Sequence, residues 1–167
     1  MKYGIAGQKA PELDSRIVWK DEEGKPMEAA QLAHHKGKHI VLFAFQSWCP
    51  GCHSRGFPAL QKMVEAMKDQ DSVAFMAIQT VFEGFQVNTA QKAWDEQTKY
   101  ALGIPFGHDA GSEDTAGRSS LMYHYRTGGT PWFIIIDPEN RVVFNDFHLN
   151  VDGAIEYLTD ALKTSQS

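Results

Sequence analysis

The run "HIVLFAFQ", residues 39 to 46, is apolar at every position from Ile40 to Phe45 and ends directly at "SWCPGCHSR". Strands with one solvated face alternate apolar and polar residues, so a β-branched and aromatic run without alternation reads as a buried central strand. The chain therefore has to cover that strand. "SVAFMAIQ", residues 72 to 79, reads as a second buried strand. Between them Phe57, Leu60, Val64 and Met67 recur at helical spacing, which predicts an amphipathic helix from about Pro50 to Lys68, bent where Pro58 removes a backbone donor.

The remaining segments follow the same periodicities. Glu23-Gly24-Lys25-Pro26 turns a short hairpin that leads into a helical turn. Residues 88 to 102 form a helix capped by Asn88 or Thr89, with Ala90, Ala93, Trp94, Ala101 and Leu102 on one face. Residues 103 to 118 are mostly loop with a short strand near Ile104 to His108, and Leu121, Met122 and Tyr125 mark a short helix. "TPWFIIIDPENRVVFND" is a hairpin around Asp137 to Asn140, and Asp152 to Lys163 closes the chain as a helix facing inward through Ile155, Leu158 and Leu162. Interleaved strands and helices imply a layered α/β domain, and 167 residues suit one domain spanning 1–167.

A formal net charge of −5 leaves no basic surplus for neutralising phosphates, so nucleic acid is not an expected partner. No apolar run reaches the length of a membrane span, and "MKYGIAGQKAPEL" has neither a charged nor an apolar leader region. As it stands the chain reads as cytoplasmic; an earlier removed signal segment would place it in the periplasm or outside the cell. The sequence carries no reading of the oligomeric state.

Cys49 and Cys52 are the only cysteines, too close together to staple a fold. With Cys49 as the cap of a helix, Pro50 falls at the first helical position, where its missing N–H is tolerated. The Cys49 sulfur then faces free backbone N–H groups and the positive end of the helix, which favours thiolate. Cys52, almost one turn later on the same side, sits deeper and is placed to attack a mixed disulfide at Cys49. No Asp or Glu occurs between Ala29 and Val64, whereas His53 and Arg55 flank the pair and are candidates for tuning the thiolate. Two alternatives are a pair of small core residues and a metal site joining Cys49, Cys52 and His53 to His34, His35 or His39. The second lacks the paired ligand clusters of a structural zinc site, so no metal and no organic cofactor is expected.

"WCPGC" after an apolar strand, together with "GGTPWFIIIDPENRVVF", resembles the thioredoxin superfamily. "APEL" and "GKPMEAAQL" are similar to the TlpA/ResA-like redoxins, which border on the peroxiredoxins. The resemblance implies a thioredoxin fold, with a mixed central sheet flanked by helices on both faces, an N-terminal hairpin extension and an insertion before the last hairpin. It also implies a cis Thr130-Pro131 bond facing the cysteines, with Trp48, Thr130 and Pro131 contacting a disulfide- or dithiol-containing protein or small thiol. Three places depart from the family's pattern. Phe43 stands where thioredoxins carry a buried Asp, Arg55 stands where TlpA/ResA-like proteins often carry a Glu, and Pro58 lies six rather than five residues after the second cysteine. Glu83 is a carboxylate near the second strand and reads as a solvated loop residue.

"CPGCH" also resembles "TPGCT" of the bacterioferritin-comigratory peroxiredoxins, a reading in which Cys52 attacks peroxide. The residues that polarise the peroxide in that family are missing, with Phe45, Cys49 and Thr130 in their places and Arg126 offset. A third alternative, a non-enzymatic thioredoxin-like binding module, is disfavoured by the presence of both thiols.

Overall fold

The structure, a computed structural model, describes residues 3–165. Strands β1 (Val18–Lys20) and β2 (Pro26–Met27) form the N-terminal hairpin, followed by a 3-10 turn at Leu32–His35. The long strands β3 (His39–Phe45) and β4 (Val73–Thr80) run parallel, and β5 (Phe106–Asp109) is parallel to β4. Strand β6 (Trp132–Ile136) lies antiparallel to β3, and β7 (Val142–Asp146) is antiparallel to β6. The sheet order is β2-β1-β5-β4-β3-β6-β7, which puts β3 and β4 at the centre.

Every residue of β3 is buried because the strand is covered twice. Val41, Phe43 and Phe45 face a layer made by α1 (Phe57–Ala66), α2 (Ala90–Tyr100) and α4 (Val151–Ser165), through Phe57, Leu60, Ala93 and Leu158. Ile40, Leu42 and Ala44 face the other layer, where α3 (Ser120–Tyr125) and the N-terminal segment bring Leu121, Tyr125, Ile5 and Leu13. Burial of one such side chain contributes about 1.5–3 kcal/mol, so two full layers fix β3 as the axis of the molecule. Residues 80–129 hold α2, β5, a 3-10 turn and α3.

Two expected helices differ in detail. The helix after the cysteines runs from position 50 and ends at Ala66, and its regularity is interrupted by a π turn at Cys52–Gly56. In that turn the Phe57 amide donates to the Cys52 carbonyl five residues back. A π turn holds one more residue than an α turn, and it absorbs the extra residue that places Pro58 six positions after Cys52. The predicted bend at Pro58 is therefore replaced by a bulge just before it. Thr89 caps α2, its hydroxyl accepting from the Lys92 amide. Ala101, expected on the inner face, is exposed and left-handed at the helix end, with φ 48°.

Candidate active site

Strand β3 delivers the chain to Cys49 at the start of the helix. The Cys52 amide donates to the Cys49 carbonyl at 3.2 Å and to the Cys49 sulfur at 3.2 Å. Thr130-Pro131 is cis, and the Cys49 thiol donates to the Thr130 carbonyl at 3.5 Å. Cys49, Cys52, Thr130 and Pro131 therefore meet at one end of the sheet.

The two thiols have opposite environments. Hydrogen bonding with the Cys52 side chain, opposed by burial and assisted by Thr130 and the Cys52 and Gly51 amides, lowers Cys49 to about 6. Burial pushes Cys52 strongly up, and its hydrogen bond to Cys49 adds to the rise, because only one sulfur can carry the charge. Cys52 is 0% exposed, against an aromatic floor in which Phe43 packs 4.9 Å from both Phe57 and Phe133.

Gly56 lets the π turn settle on that floor. A Cβ there would lie 2.7 Å from the Phe43 ring and 2.9 Å from Pro131 Cβ. Phe43, at the position where the resemblance implied an acid, is thus part of the packing that seats the helix.

Trp48 is 46% exposed beside the pair, with Gly84 beneath its ring. Its amide donates to Asn88 Oδ1 at 3.1 Å, and the Asn88 amide group donates to the Glu83 carbonyl. The buried Gln46 side chain accepts from the Phe82 and Glu83 amides, while Gln79 accepts from the Ser47 amide at 2.9 Å. Three buried amide side chains thereby tie the motif loop to the loop after β4. Glu83 itself is exposed.

The expected tuning residues stand elsewhere. Arg55 is exposed and lines a groove with Gly51, Pro131, Phe147 and His148. His53 Nε2 lies 2.6 Å from the Ser47 carbonyl, and Nδ1 lies 2.5 Å from the Tyr100 hydroxyl. Both ring nitrogens are engaged away from Cys49, and the influences that act most strongly on its thiol are burial and hydrogen bonds with Cys52, Thr130 and Gly51. Hydrogen bonding, led by the Cys52 side chain, is the main influence that makes Cys49 acidic. Arg126 is exposed at the end of α3. Among the described residues no group of three His, Cys, Asp or Glu is placed to hold a metal ion, so His34, His35 and His39 do not join the pair.

Glu96 was not anticipated. It is 8% exposed on α2, and its Oε1 accepts from the Ser47 hydroxyl at 3.0 Å. Its Oε2 is buried without a hydrogen-bond partner, 3.8 Å from His53 Nδ1. Leaving such an oxygen unsatisfied costs about 1–3 kcal/mol, and more when it is charged. The available signal was periodicity: Ala93, Glu96 and Tyr100 recur on the buried stripe of α2, so a carboxylate falls among core positions.

Comparison with known proteins bears on the family and the fold. The AhpC/TSA family model matches residues 6–145. The chain is similar to a thioredoxin-like superfamily protein of known crystal structure, at 30% identity and TM-score 0.78, over 91% of this chain and 96% of that one. It is also similar to a thiol-disulfide isomerase from Corynebacterium glutamicum, at 29% identity and TM-score 0.72, over 92% and 96%. Nucleoredoxin of Mus musculus is 24% identical over 139 residues, covering 82% of this chain and 27% of that protein. The chain thus spans about a quarter of the length of the curated relatives it matches. The fold is thioredoxin-like, with the mixed sheet and two helical faces that the resemblance implied. No helix among the described residues is long and apolar enough to cross a membrane.

Proposed function

The chain belongs to the AhpC/TSA family as a redoxin of the thioredoxin superfamily, and from that membership we propose that it is a thiol–disulfide oxidoreductase using Cys49 and Cys52 as its redox couple. In the reducing direction the Cys49 thiolate attacks a substrate disulfide and expels one thiolate, leaving a mixed disulfide. Cys52 then attacks the Cys49 sulfur, the bond to the substrate breaks, and the substrate leaves as its second thiolate. Two electrons pass from the dithiol to the substrate, and a Cys49–Cys52 disulfide remains. Run backwards, the same steps oxidise a dithiol.

The observation that carries this reading is the division of labour between the sulfurs. Cys49 receives an amide hydrogen bond and is lowered to about 6, whereas Cys52 is fully buried and its burial opposes ionisation. A leading nucleophile needs thiolate at neutral pH; a resolving thiol needs only proximity once the mixed disulfide forms. The Cys52-first peroxidase reading asks for the reverse, a reactive thiolate at the buried sulfur. Trp48, Thr130 and Pro131 border Cys49 and form the docking surface for a protein or small-molecule thiol or disulfide. The TlpA/ResA-like placement belongs to this reading and rests on "APEL" and "GKPMEAAQL".

Trapping tests it. Cys52→Ser should accumulate a mixed disulfide through Cys49, and Cys49→Ser should trap nothing. Trapping by Cys49→Ser, or rapid peroxide consumption that depends on Cys52 alone, would reverse the assignment.

A further inference from the structure

Arg55 is a cation without a partner. Among the described residues Arg16, Lys25, Lys62 and Lys68 each form an ion pair with a carboxylate, and Arg55 forms none. It lines a groove of about 190 Å³ together with Gly51, Ala59, Pro131, Phe147 and His148. A water takes up about 30 Å³ of the liquid, so this space suits a side chain. The lining is apolar apart from Arg55 and His148 and includes no carboxylate. Carboxylates on the bordering segments are engaged: Asp152 accepts from Lys62 at 2.8 Å, and Asp146 accepts from the Phe147 amide at 2.6 Å. In a chain of formal net charge −5, the groove is thus a local site of positive charge.

The groove opens beside the reacting sulfur. Pro131 lines it, and the preceding residue, Thr130, accepts from the Cys49 thiol at 3.5 Å. Arg55 follows Cys49 by six residues of helix, a rise of about 9 Å that extended peptide covers in about three residues. The sheet order separates two flanks: the groove lies on the β6 and β7 side of β3, whereas Trp48, Phe85 and Val87 are exposed on the β4 side. Exposed apolar side chains grouped beside a reactive thiol provide contact area for a polypeptide, more than a small thiol can cover.

Resting on the dithiol reading above, we propose that the groove receives an acidic segment of a protein substrate, in which an Asp or Glu about three residues from the attacked cysteine pairs with Arg55, and His148 adds a second donor. A guanidinium offers a carboxylate two parallel N–H bonds, which gives orientation as well as attraction. Arg55 is exposed, so its effect falls on encounter: a charge at the rim of an interface acts chiefly on the association rate and its salt dependence. Arg55 is in this role a specificity residue. It selects the partner and leaves the thiol chemistry to Cys49 and Cys52.

Reduced protein can be offered disulfide-linked peptides of one sequence that differ only in Glu, Gln or Lys at the third position on each side of the cysteine. Dividing each rate by that of dithiothreitol, a neutral reductant, removes the intrinsic effect of the charge on the disulfide. Wild type should reduce the Glu peptide at least about threefold faster than the Lys peptide at about 0.1 M salt, and about 1 M salt should remove most of that preference. Arg55→Gln should lose most of it and Arg55→Glu should invert it. Lys36→Glu, the same change of charge before β3 and so at its far end from Cys49, should keep the wild-type ratio. A ratio unchanged in Arg55→Glu, equal slowing of all three peptides, or a ratio that Lys36→Glu shifts as much as Arg55→Glu overturns the proposal. Glutathione disulfide reduced as fast as the Glu peptide overturns it too, because the groove would then serve a small anionic thiol. Failure of the wild type to reduce any of these disulfides sinks the dithiol reading itself, whereas reduction without charge preference sinks only this inference.

Discussion

The amide of Cys52 points at the sulfur of Cys49, 3.2 Å away, while the Cys52 sulfur itself is fully buried. One residue thus contributes the hydrogen bond that favours charge on its partner, and its burial disfavours charge on itself. Selective alkylation follows. Reduced protein should take up one equivalent of iodoacetamide rapidly, at Cys49, with a rate that rises with pH and levels off above about 6. Peptide mapping after brief labelling checks the site, and first labelling at Cys52 would contradict it.

The Cys52 side chain is the largest influence lowering Cys49, ahead of Thr130 and the backbone amides. Replacing it by alanine removes that donor and leaves the amides. The Cys49 titration midpoint should therefore move up from about 6 toward the ordinary thiol value of 9.0, stopping short of it. Thiolate absorbance against pH measures the midpoint, and an unchanged value in Cys52→Ala would refute the attribution.

Arg55→Ala tests the opposite claim. Arg55 stands exposed in the groove beside Pro131, where solvent screens its charge, and the strongest influences on Cys49 are burial and hydrogen bonds. The substitution should leave the Cys49 midpoint where it is, within the precision of the titration. A rise of a full unit would restore the cation to the role suggested by its place in the sequence.

Stability should depend on pH in a redox-specific way. Cys49 has a folded value of about 6, below its unfolded value, so thiolate formation stabilises the folded reduced chain. That contribution is complete above the unfolded value and is lost as pH falls toward 6. Cys52 acts in the other direction, because burial raises it, and it subtracts stability only once the unfolded thiol begins to ionise. Reduced protein should therefore gain in urea midpoint from about pH 6 toward 8, while the disulfide form lacks this gain. Parallel curves for the two forms would show that Cys49 is not the source.

What the sequence disclosed was local. The apolar run of β3, the proline and glycine after Cys49, and the helix start are neighbours in the chain, so their geometry follows from adjacent residues. The contacts that complete the site span long stretches of chain. Glu96 reaches Ser47 from α2, and Gln46 and Asn88 join loops on either side of β4, contacts that no local pattern specifies. Flanking charge was equally illegible in its placement: His53 and Arg55 adjoin the cysteines in the chain, yet the π turn directs His53 to Ser47 and Tyr100 and leaves Arg55 in solvent. The misplaced Pro58 was visible, but its resolution as a π turn depends on how Gly56 and Phe57 pack.

Gly56 gives the most direct test of that packing. Its backbone is ordinary right-handed helix, with φ −65°, so alanine carries no conformational penalty there and propensity alone favours it. The obstacle is space. A methyl group would press on the Phe43 ring at 2.7 Å and on Pro131 at 2.9 Å, and Phe43 is itself wedged among Phe45, Phe57 and Phe133. Overpacking of this kind costs about 1–3 kcal/mol. Because the displaced groups lie between the helix start and the cis proline, Gly56→Ala should also slow attack by Cys49. Urea unfolding and the rate of iodoacetamide labelling at Cys49 measure the two effects. A variant as stable and as reactive as the wild type would mean that the π turn does not seat on Phe43 and Pro131.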